Sequence, residues 1–575
     1  MSQAAGFQNI DPKVRRLSMM GLALGMLIAC MDGTIVGTCA TEIARDLGGM
    51  ELYSWLVTAY LLCETGMVPI AGKMSDRYGR KPLFLAGLIL FIGGSVVAGL
   101  SSDMVMLIVC RAVQGLGGGI LMPVAMSSVA DFYPPENRGK MQGMLGAVFG
   151  IGSGIGPLVG GFLCTYISWH WIFYVNVPLA VICLLLTLKK FPQASTDNLK
   201  KIDYTGMIVL TVLIIGVLLF FQRMGEGMSI LNPQPCGMMI FAVIMLLLFI
   251  YIEKRAEDPI IAPKLIHKRV VVLSAVYLFI LGLAMIGVLT YVALYIITIY
   301  DYSTLECGFA LLPMVFGMMI TSMGSGMLVN RTGYRVWVTI GSVIIMASLF
   351  LMSTMGSTAD VTILYVYLFL FGMGLGCTNS TVMIAVQNST PSDEMGMTTS
   401  AVSVMRNIGS TVGTATFALI ISGCMNSEFA KTAYAYLAEA FDLSGTGLLA
   451  LRYIPGVPPE VPDLIVEIFG DSVCQAFLFG GLLYILALIL SFFIDKKYTT
   501  LEEQRSQTCS DLICQLGYLF IGHGDGGEIN RYVKLRYIHI LDAFEIGTHN
   551  NSQHLLRIVP VRVVSSDVCV ILLQR

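Results

Sequence analysis

Along most of its length the chain alternates long apolar runs with short polar loops, and a bilayer core takes about 20 apolar residues per helix. By that measure, spans are predicted near 17–40, 52–72, 83–100, 104–126, 141–166 and 172–188, then near 204–221 and 236–252. Six more follow near 270–299, 305–328, 336–355, 361–386, 397–424 and 473–494. The expected fold is an all-α integral membrane protein of fourteen transmembrane helices, its even count placing both termini on one side. The first run is long enough to span and shows no convincing cleavage site, so it reads as a helix and not as a signal peptide.

Charge in the loops orients the bundle. Lys13, Arg15, Arg16, Arg77, Arg80, Lys81, Arg138, Lys140, Arg331 and Arg335 fall on one side, whereas Arg45, Arg223, Lys431 and Arg452 fall on the other. Positive residues favour the cytoplasmic side, so both termini are expected in the cytoplasm of a multi-pass cell-membrane protein. One large external loop is expected over Asn426–Asp471, with prolines at 455, 458, 459 and 462.

The loop after the second expected span reads GKMSDRYGRK, Gly72 to Lys81, and the loop after the tenth reads GMLVNRTGYR, Gly326 to Arg335. Both copies share Gly, three residues, Asp or Asn, Arg, one residue, Gly, one residue and a cation. Internal repeats of this kind accompany alternating access. The expected division is residues 1–190 and 256–497 as two six-helix halves, 191–255 as an inserted pair of helices, and 498–575 as a tail.

Composition agrees: 56% of residues are apolar, 13% are charged and mean hydropathy is +0.77. A soluble domain carries about twice that charged fraction. A net charge of −2 gives no reason to expect nucleic acid. The fourteen cysteines are scattered singly, without zinc or disulfide spacing, and read as small apolar fillers. There is no GxxxxGK[ST] phosphate loop, so ATP is not the expected energy source. No cofactor, metal or enzymatic activity is expected. Four of the six histidines (His523, His539, His549, His554) lie in the tail, where strand-like alternation runs from Tyr532 to Ile540. The tail is expected to be an extension with little structure.

Ionisable residues inside spans point to function, because they are costly to keep there. Asp32, Glu64 and Arg111 are the three well inside. Burial raises a carboxylate's pKa and a neighbouring Arg lowers it, so a site that is alternately wet and dry can load and release a proton. Asp32 and Glu64 are the candidate carriers, with Arg111 biasing either. In the repeated loop, Gly72 and Gly79 permit a tight turn, while Asp76, Arg77 and Arg80 can form a lock with Asp131. Arg331 and Arg335 belong to the second copy, whose Asn330 predicts a weaker lock. Gly150, Gly154, Gly156, Gly160 and Gly161 give the fifth span a smooth face, and Pro157 permits a bend. Trp55, Tyr60, Gln114, Tyr291, Tyr295 and Asn379 are candidate substrate contacts, and Arg406 is expected near the cytoplasmic end of its span.

These motifs resemble those of the major facilitator superfamily, specifically its fourteen-helix drug:proton antiporters, over about Leu17 to Lys497. The resemblance rests on GKMSDRYGRK, on LIVCRAVQGLGGG around Arg111, on GIGSGIGPLVGG from Gly150 to Gly161, and on MDGTIVGTCATEIARDLG around Asp32. WHWIFYVNVP, Trp169 to Pro178, adds to it, with His170 in place of the usual Arg. The resemblance implies a gating role for Asp76 with Arg80, proton coupling at Arg111, and antiport from the Gly-Pro form of the fifth span. It implies proton-coupled efflux of amphipathic or lipophilic compounds such as drugs by a monomer whose partners are substrate, protons and lipid. A dedicated metabolite exporter, a symporter and a transporter-derived sensor are the alternatives.

Overall fold

Apolar runs bounded by caps and first-turn prolines become long helices. The computed structural model describes residues 11–48, 52, 55–188, 203–225, 232–256, 268–356, 360–390, 394–441, 443, 445–454, 457–494, 557–561 and 570–574. The helices are α1 (Pro12–Leu47), α2 (Trp55–Tyr78), α3 (Arg80–Ala98), α4 (Met104–Phe132), α5 (Pro135–Tyr166) and α6 (Asn176–Leu188). Then come α7 (Tyr204–Gly225) and α8 (Pro233–Glu253). Last are α9 (Arg269–Ile299), α10 (Leu312–Thr332), α11 (Tyr334–Met352), α12 (Val361–Asn388), α13 (Met395–Phe429) and α14 (Val461–Ser491). Asp11, Asp103 and Asp360 cap α1, α4 and α12 through their side chains, satisfying amide groups that the helix leaves open.

Thirteen described helices are long and apolar enough to cross a membrane. The sixth expected span is shorter: one turn at Trp171–Tyr174 leads into α6, and together they fall below spanning length. Up to Ile494 the chain is therefore an all-helical, multi-pass membrane protein whose described helices include thirteen of spanning length and one shorter apolar helix, where fourteen spans were expected.

The loop expected to be external is smaller than expected, because α14 begins at Val461. Pro462 stands in its first turn, where proline starts a helix as readily as it breaks one elsewhere. Glu467 and Asp471 face outward while Val461, Ile465, Ile468 and Phe469 are buried, so the polar residues that made this segment look like loop are one face of an amphipathic helix. The remaining connection holds a short helix, Tyr436–Ala440, and a 3₁₀ segment, Gly445–Tyr453.

Among the first six helices α1 packs on α5, and α2 and α3 on α4. Among the last six α9 packs on α13, and α10 and α11 on α12. The two sets meet where α5 lies against α10 and α2 against α13. α7 packs on α2, α13 and α8, while the most apolar stretch of α8 is only 11% buried in the protein.

Glycines make the close approaches. On α5, a Cβ at Gly152, Gly156 or Gly160 would run into α1, meeting Cys30, Thr34 and Thr38 respectively, whereas one at Gly150 or Gly154 would meet Met318 and Val315 of α10. The four-residue spacing thus serves two seams, one on each side of α5. Gly161 abuts Leu305, in the short helix Thr304–Ala310 that precedes α10. Gly79 and Gly333, the second glycines of the repeated motif, have φ of 90° and 89° with ψ of 157° and 163°. Only glycine adopts this region freely. Gly79→Ala is expected to cost of order 1–3 kcal/mol, read as a lower unfolding temperature of the purified protein in detergent. An unchanged midpoint would remove the steric argument.

The cysteine reading needs one correction. Cys39 of α1 and Cys164 of α5 are joined by a disulfide, since the Gly156 and Gly160 seam brings the two helices together at that level. Their spacing of 125 residues carries no signature in the sequence.

The chain divides into two units, Met1–Tyr498 and Thr499–Arg575. In the second, strands Arg557–Val561 and Val570–Gln574 pair antiparallel, with Arg557 opposite Gln574. The alternating segment Tyr532–Ile540 and the four tail histidines lie outside the described residues, as do the loop lysines 189, 190, 200, 201 and 264.

Candidate functional site

Asp32 and Arg111 meet in the middle of the first six helices, where both are fully buried and form an ion pair. Asp32 also accepts hydrogen bonds from Asn176 Nδ2 at 2.7 Å and Gln114 Nε2 at 3.5 Å. Arg111 donates from Nε to the Leu56 carbonyl at 3.1 Å and from Nη1 to Gln114 Oε1 at 3.0 Å. Its guanidinium carbon lies 4.3 Å from the centre of the Tyr60 ring, and the Tyr60 hydroxyl is held by the Ala29 carbonyl at 3.1 Å. Gln114 Nε2 completes the network on Ser95 Oγ at 2.6 Å. Gln114 reaches Arg111 because residues three apart share a helix face. A buried ion pair persists only when its remaining donors and acceptors are satisfied, and α1, α2, α3, α4 and α6 all contribute here.

Glu64 is placed differently. It lines a cavity of about 530 Å³ walled by α1, α2, α4, α5, α7, α9 and α13. Val57, Thr58 and Leu61 from the start of α2 line it, with Thr414, Ala415 and Ala418 from the far part of α13. The cavity therefore occupies the side of the bundle away from the repeated loops. Met122, Phe149 and Arg406 lie at its deep end, given their positions along α4, α5 and α13. Most of the lining is apolar, with hydroxyls from Thr34, Ser410 and Thr411.

The opposite, loop-bearing face is latched across the two sets of helices. Asp76 at the end of α2 accepts the amide hydrogens of Gly396 at 2.9 Å and Met397 at 2.7 Å. Those amides begin α13, where a helix's exposed N–H groups and dipole favour an anion. Arg80 lies 2.7 Å from Asp76 and 2.8 Å from Asp131, and donates to Ser75 as well. Gly72 and Gly396 allow this contact, since a Cβ at either would strike the partner helix or its latch.

The second motif copy repeats the arrangement with the charge removed. Asn330 donates to the Glu136 carbonyl at 2.5 Å, near the start of α5. Tyr334 occupies the position of Arg80 and accepts from Asn388 Nδ2 at 2.9 Å. Asn388 Oδ1 in turn accepts from Arg138 at 3.2 Å. Gly326 packs on Gly139 and Gly143 of α5, as Gly72 packs on α13. Arg335 donates to the Ile494 carbonyl at 2.9 Å, Arg331 is exposed, and Arg77 is half-buried.

Comparison with known proteins now bears on this arrangement. Residues 22–414 match the profile of the Major Facilitator Superfamily. The chain belongs to the major facilitator superfamily. It is 31% identical over 483 residues to Multidrug resistance protein 3 of Bacillus subtilis (strain 168), covering 82% of this chain and 93% of that protein. It is 30% identical over 492 residues to the multidrug transporter protein MdtP of the same organism, covering 82% and 91%. The fold is similar to a solved structure of the human organic anion transporter MFSD10 (TETRAN), with TM-score 0.59, 13% identity and coverage of 84% and 100%.

Within this facilitator-family transporter, the candidate substrate contacts scatter. Tyr291 lines the cavity and stacks on Phe417. Tyr60 and Gln114 serve the Asp32–Arg111 network instead. Tyr295 hydrogen-bonds the Gly356 carbonyl, Asn379 is buried away from the cavity lining, and Trp55 packs against the cluster that includes Leu62 and Met207. Arg406 lies not at a loop end but eleven residues into α13, in the cavity lining. Asn176 and Arg406 are the site residues that sequence reasoning missed. A charged residue inside an apolar helix was the available signal for Arg406, and a polar residue at the start of one for Asn176.

Proposed function

We propose that the chain is a proton-coupled exporter of amphipathic compounds across the cell membrane, with the repeated loops and both termini in the cytoplasm. The observation that carries this reading is Glu64. It is the single carboxylate among the described residues lining the cavity, and it sits opposite a latched face. With the cavity open outward, Glu64 takes a proton as substrate leaves. When the latch opens and the halves rock, substrate entering from the cytoplasm displaces that proton inward. Asp32 with Arg111 links the proton to the packing of α1 and α4, since neutralising Asp32 releases Arg111 from its ion pair. Relatives named for multidrug transport support a broad substrate range, and a flexible thioether lining (Met122, Met285) suits varied ligands.

The test is ethidium efflux driven by an imposed pH gradient in cells lacking their own exporters. Wild type is expected to expel ethidium only with the gradient, and both Glu64→Gln and Asp32→Asn to fall to the no-gradient level. Gradient-dependent efflux surviving in Glu64→Gln would remove the proton from that residue.

A further inference from the structure

We propose that Arg406 forms a subsite for the carboxylate of an amphipathic acid bound in the cavity. This names amphipathic acids as one substrate class of the exporter reading, beside cations such as ethidium, and rests on it. Arg406 is 4% exposed, yet it lines the cavity. Its Nη2 faces only the thioether of Met122 at 3.6 Å, and the Phe149 ring centre lies 5.2 Å from its guanidinium carbon. Its Nη1 has no hydrogen-bond partner among the described residues. No carboxylate there forms an ion pair with it, Glu64 included.

The contrast with Arg111 is instructive. Arg111 has an anion, a carbonyl and an amide oxygen; Arg406 has a sulfur and a ring. Glu64 is near enough to act on the Arg406 charge, but a guanidinium kept in a low-dielectric wall with no hydrogen-bonded anion leaves its strongest donors unused. The planar fork matches a carboxylate with two parallel hydrogen bonds, and the Phe149 face suits the adjoining apolar body of a ligand.

The neighbouring polar groups do not compete for the anion. Ser410, Thr411 and Thr414 donate their hydroxyl hydrogens back to the carbonyls of Arg406, Asn407 and Ser410. They therefore turn oxygen lone pairs toward the cavity. Asn407 Nδ2 is directed to Thr65 Oγ1 at 3.4 Å. Among the lining residues Arg406 is the single cation, and Glu64 on α2 is positioned to reject a second acidic group or to receive an amine on the same ligand.

The test needs no gradient, so it stands apart from the transport experiment. Purified full-length protein in detergent is titrated with pyrenebutyric acid and with its methyl ester. Wild type is expected to bind the acid roughly tenfold or more tightly than the ester, the size of one charge-assisted hydrogen-bonded contact. Arg406→Gln is expected to lose that preference with ester affinity unchanged, and Arg406→Lys to keep only part of it. Equal binding of acid and ester by wild type, binding of neither, or a preference that survives Arg406→Gln would each overturn the proposal. Unchanged ester affinity is the control for folding, and the acid–ester comparison on wild type decides even where Arg406→Gln does not fold.

Discussion

Arg111→Gln is expected to destabilise the protein by about 3–5 kcal/mol, the usual result of stripping the partner from a buried charge. Asp32 would keep Asn176 and Gln114 but lose its counter-ion in a site with no exposure to solvent. The loss would appear as little folded protein in the membrane and a much lower unfolding temperature in detergent. Asp32→Asn combined with Arg111→Gln is expected to recover most of it, since neither charge then needs a partner. Asp32→Asn alone is expected to cost a comparable amount, because Arg111 stays charged with only the Leu56 carbonyl, Gln114 and the Tyr60 ring beside it. The efflux of the Asp32 variant is therefore read per amount of folded protein in the membrane. A double variant as unstable as Arg111→Gln would mean that packing around the guanidinium, and not the charge pair, holds the site together.

The second large effect concerns the latch. Asp76→Ala removes an ion pair with Arg80 and two hydrogen bonds to the start of α13, together about 3 kcal/mol, or roughly a hundredfold in the balance between closed and open loop faces. Ser400 lies in this contact, fully buried and against Gly72. A Ser400→Cys probe is expected to resist a water-soluble thiol reagent when Asp76 is present and to react readily in Asp76→Ala, with labelling located by mass spectrometry. Asp76→Asn should fall between the two, because Asn330 serves in the second copy with a single backbone hydrogen bond. Equal labelling rates with and without Asp76 would show that the contact is not what keeps this face shut.

Spans and repeat were readable from the sequence because both are carried by local pattern: runs of spanning length, and a turn whose glycine must adopt φ near 90° in each copy. The Asp76–Arg80–Asp131 contact was readable for a related reason, as its members flank two neighbouring loops. Contacts between distant segments were not. Asn176 reaches Asp32 across 144 residues, and nothing in its surroundings names that partner. A tyrosine in an apolar helix fits a ligand or a neighbour's carbonyl equally well, so Tyr60 and Tyr295 looked like Tyr291 until packing separated them. The start of α14 was missed because polar residues on one helix face, beside prolines, imitate a loop.

One wall of the cavity belongs to neither repeat. Leu218 and Gln222 come from α7, a helix with no counterpart in the other repeat. In the proposed cycle, the exchange of one opening for the other belongs to the repeats, with their glycine seams and their latches. The aperture at this side is also lined by residues of α7, a helix that packs on α2 and α13 from outside the repeats. Bulk at 218 or 222 is therefore a separate dial, and what the cavity admits can change over generations while the rocking machinery stays the same.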